Sequence, residues 1–248
     1  MSKEFTVIET EFDKINLIRD DFIFSDRFID DARNEWAKSP GRYDGILMGV
    51  KEITGNEREL QIRVFPMNYS WHRYIARTIA TGKELPQNER IYPLCVVGLS
   101  YFQSGNKRHF ITGIKKSGNI DGGKLECIPQ GFCDMKDGSL DNYIACMIEQ
   151  ELHEEIGRGI RLNDHKIRAL ATDDTNFQYA LMAEFRVEED EIKEYVGKEG
   201  SEHELIMTIP ESGLKHLIKE PAVFLKSERR IDISPMTMCA LELYLNLH

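Results

Sequence analysis

The chain has 248 residues, 41% of them hydrophobic, and a formal net charge of -10. That length suits one large domain or a domain with an extension, and the acidic balance argues against nonspecific binding to nucleic acid or to an anionic membrane surface. It leaves an anionic small substrate open, because bound cations reverse the local sign. Five cysteines occur, at 95, 127, 133, 146 and 239, with no C-x-x-C pair. The odd count argues against a disulfide scaffold and for a reducing compartment, with the thiols acting as small buried apolar groups. The N-terminal "MSKEFTVIETEFDK" lacks the apolar run of a signal peptide, and "PLCVVGLSYF" is too short to span a bilayer. A soluble cytoplasmic protein is expected.

In chain order, "SDRFIDDARNEWAK" (25–38) predicts a helix capped by Ser25 or Asp26, with Phe28, Ile29, Ala32 and Trp36 near one face. "DGILMGVKEI" and "ELQIRVFPM" predict strands separated by the turn-rich "TGNER". "SWHRYIARTIAT" predicts a second helix, and the polar "GKELPQNER" (82–90) a domain boundary. Beyond it, "YPLCVVGLSYF" and "RHFITGIKK" read as strands, and "KLECIPQGF" as a strand running into a loop. Residues 140–156 form the longest clean helical pattern. "KIRALATDD" and "FQYALMAEFRV" return to strand, "EEDEIKEYVG" to helix, "HELIMTI" to strand and "ESGLKHLIKE" to helix, before a last helix from about Pro235 to Leu247. Strands and helices mix without a regular βαβ alternation, so the expected class is α+β. Residues 1–90 are expected to form an N-terminal α/β extension folded against a larger domain at 91–248.

The stretch "EQELHEEIG" (149–157) concentrates four glutamates in nine residues. At about 100° per residue, Glu154 lies near 300° and Glu155 near 40° from Glu151, so these three share an arc of roughly 100°. Ile148 and Leu152 lie at about 60° and 100°, bordering that arc. Like charges at such spacings repel by a few tenths of a kcal/mol per pair. Solvation offsets this on an exposed face; a hard cation, which takes oxygen ligands, offsets it at the edge of a cleft. His153, near 200°, is expected to face solvent.

Upstream lies "PQGFCDMKDG", with a strand-to-loop turn at Gly131, and downstream Gly157 is placed to cap the helix. Together these segments resemble the Nudix box. Gly131 matches its first glycine, Asp137 stands where its first glutamate would be, and Glu151, Leu152, Glu154, Glu155 and Gly157 match its second half. Gln150 replaces the usual arginine, twelve residues rather than seven separate it from Asp137, and Arg158 stands where an apolar residue is usual. The order of elements over about 91–210 also follows the family. The Trp36 helix in a long extension, the lengthened loop, Gln150-Glu151 and the late pair His203-Glu204 are similar to the branch that hydrolyses UDP-glucose and UDP-galactose.

The resemblance implies a mixed sheet sandwiched by helices, and hydrolysis of a nucleoside diphosphate linked to another moiety, a UDP-sugar giving UMP and sugar 1-phosphate. The alternatives are an ADP-sugar or dinucleotide hydrolase, and a Nudix-fold module that binds nucleotide without hydrolysis. Mg²⁺, with Mn²⁺ as a substitute, would be held by Glu151, Glu154 and Glu155. Glu155 and Glu204 are the candidates for general base. Gly131, Arg108, Lys115 and His203 are candidate substrate contacts, with Lys116 a further phosphate candidate. Asp137, Gln150 and Gly157 are expected to be structural. Tyr101 and Phe102 fit core packing or stacking on a base. No nucleic-acid or membrane partner is expected; the sequence leaves the oligomeric state open.

Overall fold

The computed structural model describes residues 5–10, 14–38, 44–55, 58–117, 122–136, 140, 142–157, 159–174, 176–221, 225 and 231–247. Strands β1 (Phe5–Thr10) and β2 (Lys14–Arg19) precede helix α1 (Asp26–Ala37), which Ser25 caps: its Oγ accepts the Phe28 N–H at 3.2 Å. β3 (Ile46–Gly55) and β4 (Glu59–Asn68) pair antiparallel and lead into α2 (Tyr69–Ala80). α1 and α2 bury Phe28, Ala32 and Ile75 in a small cluster with Phe24, Phe65 and Met67.

After the 82–90 segment, which holds one 3-10 turn at Gln87–Glu89, comes the long strand β5 (Tyr92–Ser104), then β6 (Lys107–Lys115), β7 (Leu125–Cys127) and β8 (Gln130–Phe132). Helix α3 (Tyr143–Glu155) follows, then β9 (Asp164–Asp173), β10 (Gln178–Arg186), the short α4 (Glu189–Ile192) and β11 (His203–Pro210). α5 (Leu214–Lys219) and α6 (Pro235–Leu247) complete the described elements.

The strands form one mixed sheet in the order β1-β9-β10-β5-β3-β4-β2, with β6 joined to β5, β7 and β11, and β8 joined to β5. Most pairings are antiparallel; β10 with β5 and β2 with β4 run parallel. The α+β expectation holds, and the predicted elements from α1 to α6 are present within a few residues. β1 and β2 were not among the expected elements. The predicted helix at "EEDEIKEYVG" shortens to α4, and "KLECIPQGF" divides around Pro129 into two three-residue strands.

β5 explains how the halves meet. It is buried almost throughout, and its first residues pair with β3 (Gly49 opposite Pro93, Val50 opposite Tyr92), while β1 pairs with β9. The Met48 N–H also reaches Cys133 O at 2.8 Å, and Met135 N–H reaches Ile46 O at 2.8 Å. Two apolar layers cover the sheet. One holds α3 through Tyr143, Met147, Ile148 and Leu152 against Val96, Ile111 and Ile128. The other holds α5 and α6 against Val97, Leu99, Phe110 and Met182. Four of the five cysteines are buried as expected; Cys146 is exposed on α3. No described helix is long and apolar enough to cross a membrane.

Candidate active site

The apolar stripe Tyr143, Met147, Ile148 and Leu152 presses α3 onto the sheet, and this rotation decides where its glutamates go. They do not share one environment. Glu155 is 2% exposed, Glu151 is half-buried and Glu154 is exposed. The sequence arc of about 100° therefore straddles the boundary between core and solvent.

Glu155 enters the protein beneath the loop that joins β7 to β8. Its Oε1 accepts the Gln130 N–H at 2.8 Å, and its Oε2 has no hydrogen-bond partner among the described residues. Burial drives its carboxyl well above the usual range; the Gln130 N–H opposes this and Glu151 adds to it. Glu151 lies against Gly131, where a Cβ would overlap its carboxylate, so only glycine admits this approach. Burial pushes the Glu151 carboxyl up to about 8, helped by Glu154, Glu202 and Asp134, while Lys115 pulls the other way. Glu154 instead accepts from Gln150 Nε2 at 2.7 Å, and Gln150 accepts from Lys136. Gln150, expected to be structural, thus steers Glu154.

On the sheet side, Lys115 Nζ lies 3.1 Å from Glu126 Oε2 and 3.6 Å from Glu202 Oε2. Burial alone would lower its ammonium pKa, but Glu126, Glu155 and Glu202 outweigh that and raise it. One ammonium therefore faces Glu126, Glu151, Glu155 and Glu202. His203 completes the group, fully buried between Glu126 and Glu155.

The candidates divide accordingly. Glu151, Glu155, Gly131, Lys115 and His203 come together. Arg108 does not: it sits at the other end of β6, about 23 Å from Lys115 along the strand, where it pairs with Glu184 at 3.0 Å and Tyr244 Oη at 3.0 Å and covers the Tyr101 ring. Glu204 does not join Glu155 either. It is the extra residue of a bulge between His203 and Leu205, and it is exposed where His203 is buried. Lys116 pairs with Glu199 at 2.7 Å. Phe102 is buried and Tyr101 lies under Arg108, so both serve packing. Gly157 keeps an ordinary φ and donates to Leu152 O at 3.3 Å; it is small because Tyr195 crosses it, and a Cβ would lie 2.6 Å from the Tyr195 hydroxyl. His153 faces solvent as expected. Asp137 and Arg158 lie outside the described residues.

Glu126 was missed. Its signal was a charged residue between Leu125 and Cys127 in the otherwise apolar "KLECIP". A carboxylate inside a short apolar strand needs a buried partner, and here Lys115 is that partner.

The donor set suits a hard cation: every candidate ligand is a carboxylate, Glu155 keeps a buried oxygen without a partner among the described residues, and acidic groups outnumber Lys115 around it. As arranged, no three His, Cys, Asp or Glu groups among the described residues converge on one point, and Glu154 is turned toward Gln150. The side chains thus fit a metal in kind and neighbourhood, with Glu154 needing to turn inward to complete a ligand set.

No protein-family model matches the chain, and no curated protein matches it. Solved structures with some likeness include Tm1382, a candidate Nudix hydrolase, at 11% identity and TM-score 0.39, covering 87% of this chain and 96% of that one. A C. elegans Ap4A hydrolase in a binary complex follows at 9% identity and TM-score 0.33, covering 62% and 96%. The NUDIX domain of Shewanella oneidensis NrtR complexed with ADP ribose shows 12% identity and TM-score 0.35, covering 69% and 97%. Overlap this loose does not assign an activity.

Proposed function

We propose that the chain is a Nudix-type pyrophosphohydrolase that uses a divalent cation to cleave a nucleoside diphosphate linked to a second moiety, with a UDP-sugar as the substrate. One observation carries this reading. Glu151 and Glu155, one turn apart on α3, are driven into the protein against Gly131 and the Gln130 N–H, with Glu155 Oε2 unpartnered among the described residues and Lys115 as the ammonium facing both. Buried carboxylates of like sign are costly without a compensating charge. The Nudix-box spacing recognised in the sequence supplies the chemistry that would use them.

Glu151, Glu155 and a reoriented Glu154 would hold Mg²⁺ or Mn²⁺, which when bound neutralises diphosphate charge and lowers the pKa of a coordinated water. In the reaction, water adds to one phosphorus, the bridging P–O bond breaks, and UMP and sugar 1-phosphate leave as dianions with release of two protons. In this reading Lys115, while paired with Glu126, would offer a remaining N–H to phosphate oxygens, and the Gln130 N–H holds Glu155 Oε1. The choice of a UDP-sugar follows the resemblance in the extension, the lengthened loop and the His203-Glu204 pair.

The test is kcat/KM for UDP-glucose, ADP-ribose and a dinucleoside polyphosphate at fixed Mg²⁺ and Mn²⁺. UDP-glucose is expected to lead. A tenfold lead by either competitor, about 1.4 kcal/mol in the barrier, would replace the uridine assignment and keep the diphosphate chemistry. Turnover of none would favour a nucleotide-binding module. Glu155→Gln keeps the side-chain shape and is expected to lower kcat by on the order of 100-fold, about 2.7 kcal/mol, with no loss of thermal stability in metal-free protein. Unchanged turnover in that variant would remove Glu155 from the mechanism.

A further inference from the structure

Beneath α3, strands β7, β6 and β11 lie side by side and turn a set of polar residues toward the helix. Pairing sets Glu126 opposite Gly113 and His203 opposite Lys115, so all four belong to one face. Gly113 makes room: a Cβ there would overlap the His203 ring, so the imidazole lies directly on the backbone of β6. The ring is 0% exposed, and its Nε2 stands 3.7 Å from Glu126 Oε2 and 3.9 Å from Glu155 Oε2. Neither ring nitrogen has a hydrogen-bond partner among the described residues, and neither has Glu155 Oε2.

Leaving such buried groups unsatisfied is unfavourable, because they lose water without gaining a partner. A movement of about 1 Å brings Nε2 and Glu155 Oε2 to the usual N–H···O distance and satisfies both. Two carboxylates in front of Nε2 favour the tautomer that carries its proton there. Glu126 is itself held by Lys115 at 3.1 Å, which fixes the second carboxylate in front of Nε2.

We propose that His203 is a positioning residue for Glu155. Oε1 is set by the Gln130 N–H, Oε2 by the His203 Nε2–H, and the Glu126–Lys115 pair flanks that nitrogen. With both oxygens restrained, the carboxylate keeps its plane when a cation and a diphosphate enter. The inference rests on the metal-dependent reading above and gives His203 a role through Glu155 rather than contact with substrate.

Two amides of equal chemistry and different reach test it in the full-length protein. The amide of His203→Gln reaches the place of Nε2; that of His203→Asn stops one bond short. Mn²⁺ binding to metal-free protein is read by electron paramagnetic resonance, without substrate, and kcat and KM are measured separately. His203→Asn is expected to weaken Mn²⁺ binding by about 10–100-fold and to lower kcat with little change in KM. His203→Gln is expected to restore most of both. Equal behaviour of the two amides, with melting temperatures like the wild type, would mean that His203 only fills space. If one amide fails to fold, Glu126→Gln replaces it, expected to weaken Mn²⁺ binding in the same direction; wild-type binding there overturns the role. A wild type that binds Mn²⁺ but hydrolyses no nucleoside diphosphate refutes the proposed activity, while the Mn²⁺ contrast still decides His203. A wild type that binds no Mn²⁺ overturns both.

Discussion

His72 shows how one residue's burial couples stability to pH. It lies on α2 with its ring 5.3 Å from that of Phe132, and its Nδ1 has no hydrogen-bond partner among the described residues. Burial, helped by the charge of Arg73, lowers its pKa to about 4 from 6.5. The folded protein therefore keeps the imidazole neutral where the unfolded chain protonates it. Stability from this source is complete above pH 6.5 and is lost as the pH falls toward 4. Between pH 7.5 and 4.5 the loss is roughly 2–3 kcal/mol. Glu151 and Glu155 act in the opposite sense, since their raised values favour the folded state as the pH falls. The His72 contribution is therefore read as a difference. In urea titrations at the two pH values, His72→Phe should lose less stability on acidification than the wild type, by that amount. Parallel losses would show that His72 titrates normally.

At the level of elements, the start of α1 is tied to a segment far along the chain. Ser25 Oγ accepts the Phe28 N–H and donates to Glu89 Oε1 at 2.5 Å, so the helix cap also satisfies a buried carboxylate in the 82–90 segment. An ordinary cap removal costs about 0.5–2 kcal/mol. Ser25→Ala also takes a partner from Glu89 and should cost about 2 kcal/mol or more. Ser25→Thr keeps the hydroxyl and should recover over half of that in chemical denaturation. A loss under 0.5 kcal/mol for the alanine variant would show that water replaces Ser25 on Glu89.

The whole molecule bears on the expected boundary at 82–90. Much of this segment is exposed, but Leu85 and Glu89 are buried, and the sheet continues across it through the β3–β5 and β1–β9 pairings. A protease that nicks 82–90 should therefore leave two fragments that elute together by size exclusion and separate only in denaturant. Two pieces that part in native buffer, each stable alone, would make the N-terminal part a tethered domain.

Most elements were readable because period and turn chemistry are local properties. The cap at Ser25, the aromatic and β-branched content of "RHFITGIKK" and the stripe on α3 need no partner to be recognised. β1 and β2 escaped because short strands are stabilised by the neighbour they pair with, here β9 and β4, and nothing local names that neighbour. The same division runs through the candidate site. The spacing of Glu151, Glu154 and Glu155 is a sequence fact, as is the glycine at 131. Their unequal burial depends on how α3 is rotated onto the sheet, and that rotation is a packing outcome. Glu126, Lys115 and His203 are separated by up to 88 positions, yet strand register places them on one face. Register likewise carried Arg108 away, because a position seven residues from Lys115 on one strand lies at the far end of that strand. Charge and periodicity are written residue by residue; which charges meet is decided by strand pairing and by the burial that makes each meeting costly or favourable.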